Sequence, residues 1–318
     1  ARVALQVAHA GRQTFPEFTE TPAIKAPSAI PLPVTGYPIP EAMTIEEIEE
    51  TIEAFGRAAL RVKESGFDAV EVHGGHGYLP FGFFSPLQNI RKDRYGGTLR
   101  NRMRFGIEIV KSMREKVGPD FPIGYKLSAD EYLEGGITLK ESIPFAIELE
   151  KVDLNWLQCS AGNFASVHHT VQPMYLPLNH NVHLAEVMKK ELRIPVMTVG
   201  RHGVPDMMEE ILREGRADMV AMGRQLVCDP DLPDKIRKDQ VDEIRRCIGC
   251  NEGCNKYFFN NWPITCTINP EVGREAEYTL TTVSEAKRVL VVGGGPGGLA
   301  AGRIAALRGH DVTIFEKT

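Results

Sequence analysis

The 318-residue sequence has no excess of basic charge. Its 37 Lys and Arg against 42 Asp and Glu leave a net charge of −5, which speaks against a nucleic-acid-binding chain, whose footprint is basic. No apolar run approaches the ~18 residues that a membrane span needs, and no signal-peptide pattern opens the chain. Cysteine is scarce: there are six, and four of them lie inside one twenty-residue stretch. That usage suits a reducing compartment better than a disulfide framework, and implies a cytoplasmic protein. The first strand-like run is not followed by the Gly-rich phosphate loop that a doubly wound dinucleotide fold normally places there. What is present is an ordinary globular composition, 42% hydrophobic and 25% charged, in a chain long enough for about two domains of ~150 residues.

The chain starts on Ala1, without a Met, inside a strand-like run, and stops at Thr318 just past another. Both ends read as cuts within a longer protein. Residues 3–8 (VALQVA) form an apolar run that contains Gln6 and leads into His9-Ala-Gly-Arg12. A polar residue in a buried strand, followed by a Gly-Arg turn, suits a strand that ends at a site. Residues 13–43 carry seven prolines and no periodicity, the mark of a long irregular loop. Thr44-Ile-Glu-Glu47 fits a capping box, and the apolar spacing that follows predicts a helix ending at Gly66.

Further strands are expected at 67–72, 123–128, 154–160, 195–200 and 218–223. Helices are expected at 99–117, 182–191, 205–214 and after Pro230. Strands and helices alternating in this way imply parallel βα units. Six strands precede the cysteines, so the economical reading is a (β/α)8 TIM barrel lacking its first two units. In such a barrel the active site lies just past the strand C-termini. Gln6, His9, His73, His76, Tyr78, Lys126, Ser128, Gly200, Arg201, Gly223 and Arg224 all fall at that edge. The last two strands each end in Gly-Arg, at 200–201 and 223–224. Loops after strands seven and eight commonly bind phosphate, with glycine admitting close backbone approach and arginine supplying fixed donors.

The cysteines follow the pattern Cys247-x2-Cys250-x3-Cys254-x11-Cys266. Four thiolates can hold zinc or an iron–sulfur cluster, and this compact, asymmetric spacing differs from the paired knuckles of zinc ribbons. Cys159 and Cys228 have no partner pattern and read as core thiols. Residues 287–292 (KRVLVV) form a strand run that enters Gly293-x-Gly295-x-x-Gly298. A helix and a second strand follow, with Glu316 at its end. A fingerprint in that context points to dinucleotide binding: Gly293 for the tight turn, Gly295 for close approach to the pyrophosphate, Gly298 completing the motif, and Glu316 for a ribose hydroxyl. The organisation expected is therefore a truncated barrel at 1–240, a cysteine segment and linker at 241–284, and the start of a Rossmann-like FAD/NAD-binding domain at 285–318.

Gln6 with HAGR, HGGHGYL at 73–79, the long run FSPLQNIRKDRYGGTLRNRMRF and the two Gly-Arg strand ends together resemble the Old Yellow Enzyme barrel. The cysteines and the second nucleotide site narrow the resemblance to its larger branch, the 2,4-dienoyl-CoA and 2-enoate reductases. Proteins of that branch carry FMN, a [4Fe–4S] cluster, and a half that binds FAD and NAD(P)H. The resemblance implies that Gln6 and Lys126 contact the flavin pyrimidine edge, and that Gly200, Arg201, Gly223 and Arg224 hold the FMN phosphate. Many relatives have Arg at the Lys126 position, and Lys supplies the charge without a bidentate fork. It implies that His73 and His76 polarise a substrate carbonyl and that Tyr78 donates a proton. The His pair departs from the bacterial dienoyl-CoA reductases and points away from dienoyl-CoA as substrate. His169, beside His168 in the loop after the fourth strand, would be a second acid or a substrate contact. The four cysteines would hold the cluster, which would pass electrons from FAD to FMN.

The activity this implies is NAD(P)H-dependent reduction of the C=C bond of an unsaturated acid, acyl-CoA or enone. Two alternatives stay open. One is an amine dehydrogenase on the same scaffold, against which the His pair argues, since a cationic amine prefers aromatic surroundings. The other is a non-catalytic electron carrier or binding protein stabilised by zinc. Neither a nucleic-acid partner nor a membrane is expected, and oligomeric state is silent.

Overall fold

The computed structural model describes residues 1–19 and 23–317. The chain divides into two compact units, 1–251 and 252–318.

In the first unit six strands form one sheet: β1 (Ala4–Val7), β2 (Ala69–Gly74), β3 (Ile123–Ser128), β4 (Trp156–Ser160), β5 (Val196–Val199) and β6 (Met219–Ala221). They lie side by side in chain order and every pairing is parallel. These are the six strands expected, each within a few residues. The helices that connect them are α1 (Ile45–Glu64), α2 (Leu79–Phe84), α3 (Leu99–Val117), α4 (Leu139–Glu150), α5 (Val182–Glu191) and α6 (Pro205–Arg213). The sheet is a run of adjacent parallel strands, open at β1 and β6 among the described residues.

Alternation along the strands sorts their side chains between two faces. Val70, Val72, Tyr125, Leu127, Leu157 and Cys159 are fully buried, and share one core with Phe55 and Ala59 of α1, Phe105 and Ile109 of α3, Phe145 of α4 and Met188 of α5. That face is sealed by helices. The residues of opposite parity, among them Gln6, Glu71, His73, Lys126, Gln158 and Ser160, turn to the other face. Cys159 and Cys228 are buried free thiols, as expected of core cysteines.

The helix starts follow their caps. Glu47 N–H donates to Thr44 Oγ1 at 3.2 Å and Thr44 N–H to Glu47 Oε2 at 2.9 Å, which is the capping box read from the sequence. Helices α2 and α4 were not anticipated. The first is almost wholly apolar (LPFGFF) and buried throughout, so it offers no amphipathic period. The second contains Pro144, which weakens a helix signal.

The proline-rich stretch is anchored over residues 25–43. Arg12 donates to the carbonyls of Ile30 and Pro31, and Arg91 to those of Pro27 and Met43. Residues 25–26 pair with 41–42 in a short parallel bridge.

In the second unit β7 (Arg288–Val292), α7 (Pro296–Leu307) and β8 (Asp311–Phe315) make one βαβ unit with parallel strands. A Cβ on residue 298 would overlap the Gly293 carbonyl; glycine there lets the helix start close against the strand.

Candidate active site

The face of the sheet opposite the helices carries a row of polar groups across four neighbouring strands. Gln6 on β1 is in register with Glu71 on β2, and Gln6 Nε2 donates to Glu71 Oε1 at 2.5 Å. His73, two residues further along β2, is in register with Lys126 on β3. Lys126 in turn pairs with Gln158, and Ser128 with Ser160, on β4. Gln6, His73 and Lys126 are thus gathered by strand register alone.

Beyond β2 the chain makes the turn that carries the remaining candidates. His76 holds a left-handed backbone (φ 58°), an uncommon state for a residue with a Cβ, costing about 1–2 kcal/mol. Its N–H donates to Ser128 Oγ at 2.9 Å, and its carbonyl accepts from Gln13 Nε2 at 2.8 Å. These bonds hold the strained turn. They bring the His76 ring edge-on to His73, with centroids 5.0 Å apart, and the Tyr78 ring to 4.6 Å from His73. His76 Nε2 lies 2.7 Å from Ser160 Oγ, so one of its ring nitrogens is engaged by the protein. The His73 Nδ1 atom is buried without a partner among the described residues.

Burial sets the charges here. It pushes His73 down to about 3, with Lys126 adding to the effect, and it holds His76 well below the ordinary histidine value, again with Lys126 contributing and then His73. Both rings are therefore neutral near pH 7, each with one N–H donor and one acceptor. Burial lowers the Lys126 pKa while the Glu71 carboxylate pulls it back up. Burial also raises the Tyr78 pKa, so the phenol keeps its proton through the neutral range.

The Gly-Arg pairs follow β5 and β6. Gly200 has φ 149° and Arg201 φ 55°, and Gly223 caps a short helix that begins at Arg224. Both guanidiniums reach one stretch of chain. Arg201 donates to the carbonyls of Pro173, Met174 and Leu176, and Arg224 to the carbonyl of Gln172 and to Asn251 Oδ1. The two turns thus meet over residues 172–176.

His169 stands in a separate group. Its ring stacks on Tyr132 at 3.9 Å, and its Nδ1 is 2.9 Å from His180 Nε2. Burial first, then His168 and His180, bring its pKa down to about 4.

Sequence reasoning passed over Glu71, Trp156 and Gln158. Glu71 also accepts from Trp156 Nε1 at 3.1 Å, and Gln158, its amide set by the surrounding donors and acceptors, donates to both Glu71 oxygens at 3.0 Å. The signal for Glu71 and Gln158 was the one that flagged Gln6: a polar side chain inside an apolar strand run. A second buried carboxylate, Glu131, accepts from Ser85, Asn163 and the Ile137 N–H, and ties the segment after α2 to the turns after β3 and β4.

Cys247 and Cys250 end the first unit; the Cys247 N–H donates to Gln225 Oε1 at 2.8 Å. In the second, the Thr265 N–H donates to the Gly253 carbonyl at 2.8 Å. A Cβ on residue 253 would crowd this pairing and come within 3.1 Å of the Cys266 Cα, so glycine brings the chain at Cys254 beside the chain at Cys266. All four thiols are partly buried. Among the described residues, no three His, Cys, Asp or Glu side chains are gathered tightly enough to hold a metal ion.

In the βαβ unit Gly293 takes φ 106°, Gly295 is the N-cap of α7 and Glu316 Oε2 accepts from the Gly294 N–H at 2.5 Å. The three fingerprint glycines and Glu316 therefore meet at one turn. Among the described residues, no helix is long and apolar enough to cross a membrane.

The profile of the NADH:flavin oxidoreductase / NADH oxidase family matches residues 1–243, and that of an NAD(P)-binding Rossmann-like domain matches residues 291–318. This chain belongs to the NADH:flavin oxidoreductase family. It is 45% identical to an NADH oxidase of Thermoanaerobacter brockii, covering all of this chain and 49% of that protein. It is 36% identical to a cinnamate reductase of Clostridium sporogenes, covering all of this chain and 50% of that one. The solved structure of a 2-naphthoyl-CoA reductase in complex with 2-naphthoyl-CoA superposes with a TM-score of 0.94 at 35% identity, over 99% of this chain and 50% of that one. The chain spans about half the length of the curated relatives it matches. Family membership accounts for a barrel-type parallel sheet followed by a nucleotide-binding unit.

Proposed function

We propose that the polar face of the first unit holds FMN, and that the whole protein reduces the C=C bond of an α,β-unsaturated acid, acyl-CoA or enone at the expense of NAD(P)H. The six strands would be six of the eight in a (β/α)8 barrel. The observation that carries this reading is the meeting of His73, His76 and Tyr78 beside Lys126 on one polar face. The residues fit the group: a buried His73 Nδ1 with no partner among the described residues, the half-buried Lys126 ammonium, and Gly-Arg turns at the ends of β5 and β6. The names of relatives, cinnamate reductase and 2-naphthoyl-CoA reductase, support the substrate class.

Bound together, FAD, a [4Fe–4S] cluster and FMN would supply two-electron, one-electron and hydride chemistry respectively. Lys126 would place positive charge against the pyrimidine edge, with Gln6 hydrogen-bonding beside it. Gly200, Arg201, Gly223 and Arg224 would grip the phosphate. The neutral His73 and His76 rings would donate N–H groups to a substrate carbonyl, and Tyr78, protonated at neutral pH, would hand its proton to the α-carbon. His169 would contact substrate from the neighbouring loop. Cys247, Cys250, Cys254 and Cys266 would hold the cluster, and Gly293, Gly295, Gly298 and Glu316 the FAD.

The test uses full-length protein reduced anaerobically with NADH or NADPH and then offered enoates, enoyl- and dienoyl-CoA thioesters, cyclic enones and trimethylamine. Reoxidation by an activated alkene is expected. Reduction of the oxidised protein by the amine, with no alkene reoxidising it, would overturn the proposal in favour of an amine dehydrogenase. Absorption spectra with metal analysis test the cluster: iron is expected, and zinc without iron contradicts it.

A further inference from the structure

Among the described residues Glu71 is the one carboxylate on the polar face of β1–β4, and it has no part in the flavin and substrate contacts proposed for that face. It is 7% exposed. Three neutral donors converge on it from other strands: Gln6 from β1 at 2.5 Å, and Trp156 and Gln158 from β4 at 3.1 and 3.0 Å. Its partners on β4 must reach across β3, and the strand between them carries glycine at the crossing. Gly124 is in register with both Glu71 and Trp156, and a Cβ there would overlap the indole ring. The sheet thus gives up a side chain so that Trp156 can reach this carboxylate. All three partners donate through N–H. A protonated Glu71 would need an acceptor for its own O–H, and these contacts offer none, so they select the carboxylate. Burial acts the other way and raises its pKa, opposed by Gln6, Trp156 and Lys126.

Gln6 has one amide group of two donors and one oxygen acceptor. With Nε2 committed to Glu71, its orientation is decided and Oε1 is the atom left to serve a ligand. Without that donation the amide could present either end. The group it would meet, the imide N–H of a flavin pyrimidine ring, is a donor and needs that acceptor.

Resting on the flavin reading above, we propose that Glu71 is a positioning residue for FMN: it orients Gln6 so that the amide oxygen faces the flavin imide. Glu71 itself touches no flavin atom and acts through Gln6.

A double-mutant cycle on full-length protein stripped of flavin tests this, with FMN binding followed by quenching of its fluorescence. Glu71→Leu, which has no acceptor for the Gln6 amide, and Gln6→Ala are each expected to weaken FMN binding about tenfold, one hydrogen bond's worth. Because they break the same contact, the double variant should also lose about tenfold rather than about a hundredfold. A multiplicative loss would make Glu71 independent of Gln6 and overturn the proposal, as would wild-type affinity in Glu71→Leu. A merely structural Glu71 would lower the melting temperature and still give multiplicative losses. Should Glu71→Leu not fold, Glu71→Asp keeps the charge but withdraws it from Gln6, and the same cycle is expected. Failure of the unaltered protein to bind FMN would instead overturn the flavin reading, and this inference with it.

Discussion

The two faces of the six-stranded sheet are made from alternate residues of the same strands, yet their chemistry has nothing in common. On β2, Val70 and Val72 are sealed under helices while Glu71 and His73 face the other way; on β3, Tyr125 and Leu127 alternate with Lys126 and Ser128. One face buries apolar surface and supplies stability. The other holds the buried Glu71 and His73 beside the half-buried Lys126 and His76, which costs stability and which the proposed flavin chemistry would use. A strand of period two can do both because neighbouring side chains never compete for the same face.

Substitutions should separate the faces cleanly. Lys126→Met, on the polar face, should cut alkene-dependent turnover by about a thousandfold, the scale of losing a preorganised charge beside the reacting group; steady-state rates check this. On the helix-covered face, Leu157→Ala should destabilise the protein by about 3 kcal/mol while leaving FMN affinity within about twofold of wild type, read by denaturant melts and flavin titration. An equal loss of affinity would mean the faces are coupled. Tyr78→Phe should slow alkene reduction about a hundredfold and leave reduction of the protein by NAD(P)H unchanged. Equal slowing of both half-reactions in rapid mixing would count against Tyr78 as proton donor.

The smallest effect is a pH dependence. His73 on the polar face, and His202 beyond β5, are pushed down to about 3 and about 4, burial being the main cause in each. Unfolded, they titrate near ~6.5. Their contribution to stability is complete above about pH 6.5 and is lost as pH falls toward those lower values, with a slope of up to about 1.4 kcal/mol per unit for each group. His202 is 4% exposed and has its Nδ1 2.7 Å from Asn179 Oδ1. His202→Gln should flatten the fall in melting temperature between pH 7 and 5; an unchanged slope would contradict this.

Legibility in the sequence followed the same division. The six strands could be read as short apolar runs that alternate with helical stretches, with His73 near the end of one and Gly-Arg after two others. The helix α2 could not, because it is apolar all round and shows no polar stripe, and α4 could not because Pro144 interrupts an otherwise helical pattern. Gln6, His73 and Lys126 were visible as polar residues in or beside strand runs, but their meeting depends on register between β1, β2 and β3, which no single strand encodes. Glu71 and Gln158 carried the same signal as Gln6. They were passed over because a single acid or amide in an apolar run looks incidental until its partners on other strands are known. Nor could the sequence foresee that Arg201 and Arg224 both reach residues 172–176, a meeting made by two turns separated by a full βα unit.

The central claim is that the polar face of the first unit is an FMN site. The measurement that tests it most directly is the identity and amount of flavin released by acid from purified full-length protein. Close to one FMN per chain is expected, in addition to FAD. FAD alone, or no flavin at all, would contradict it.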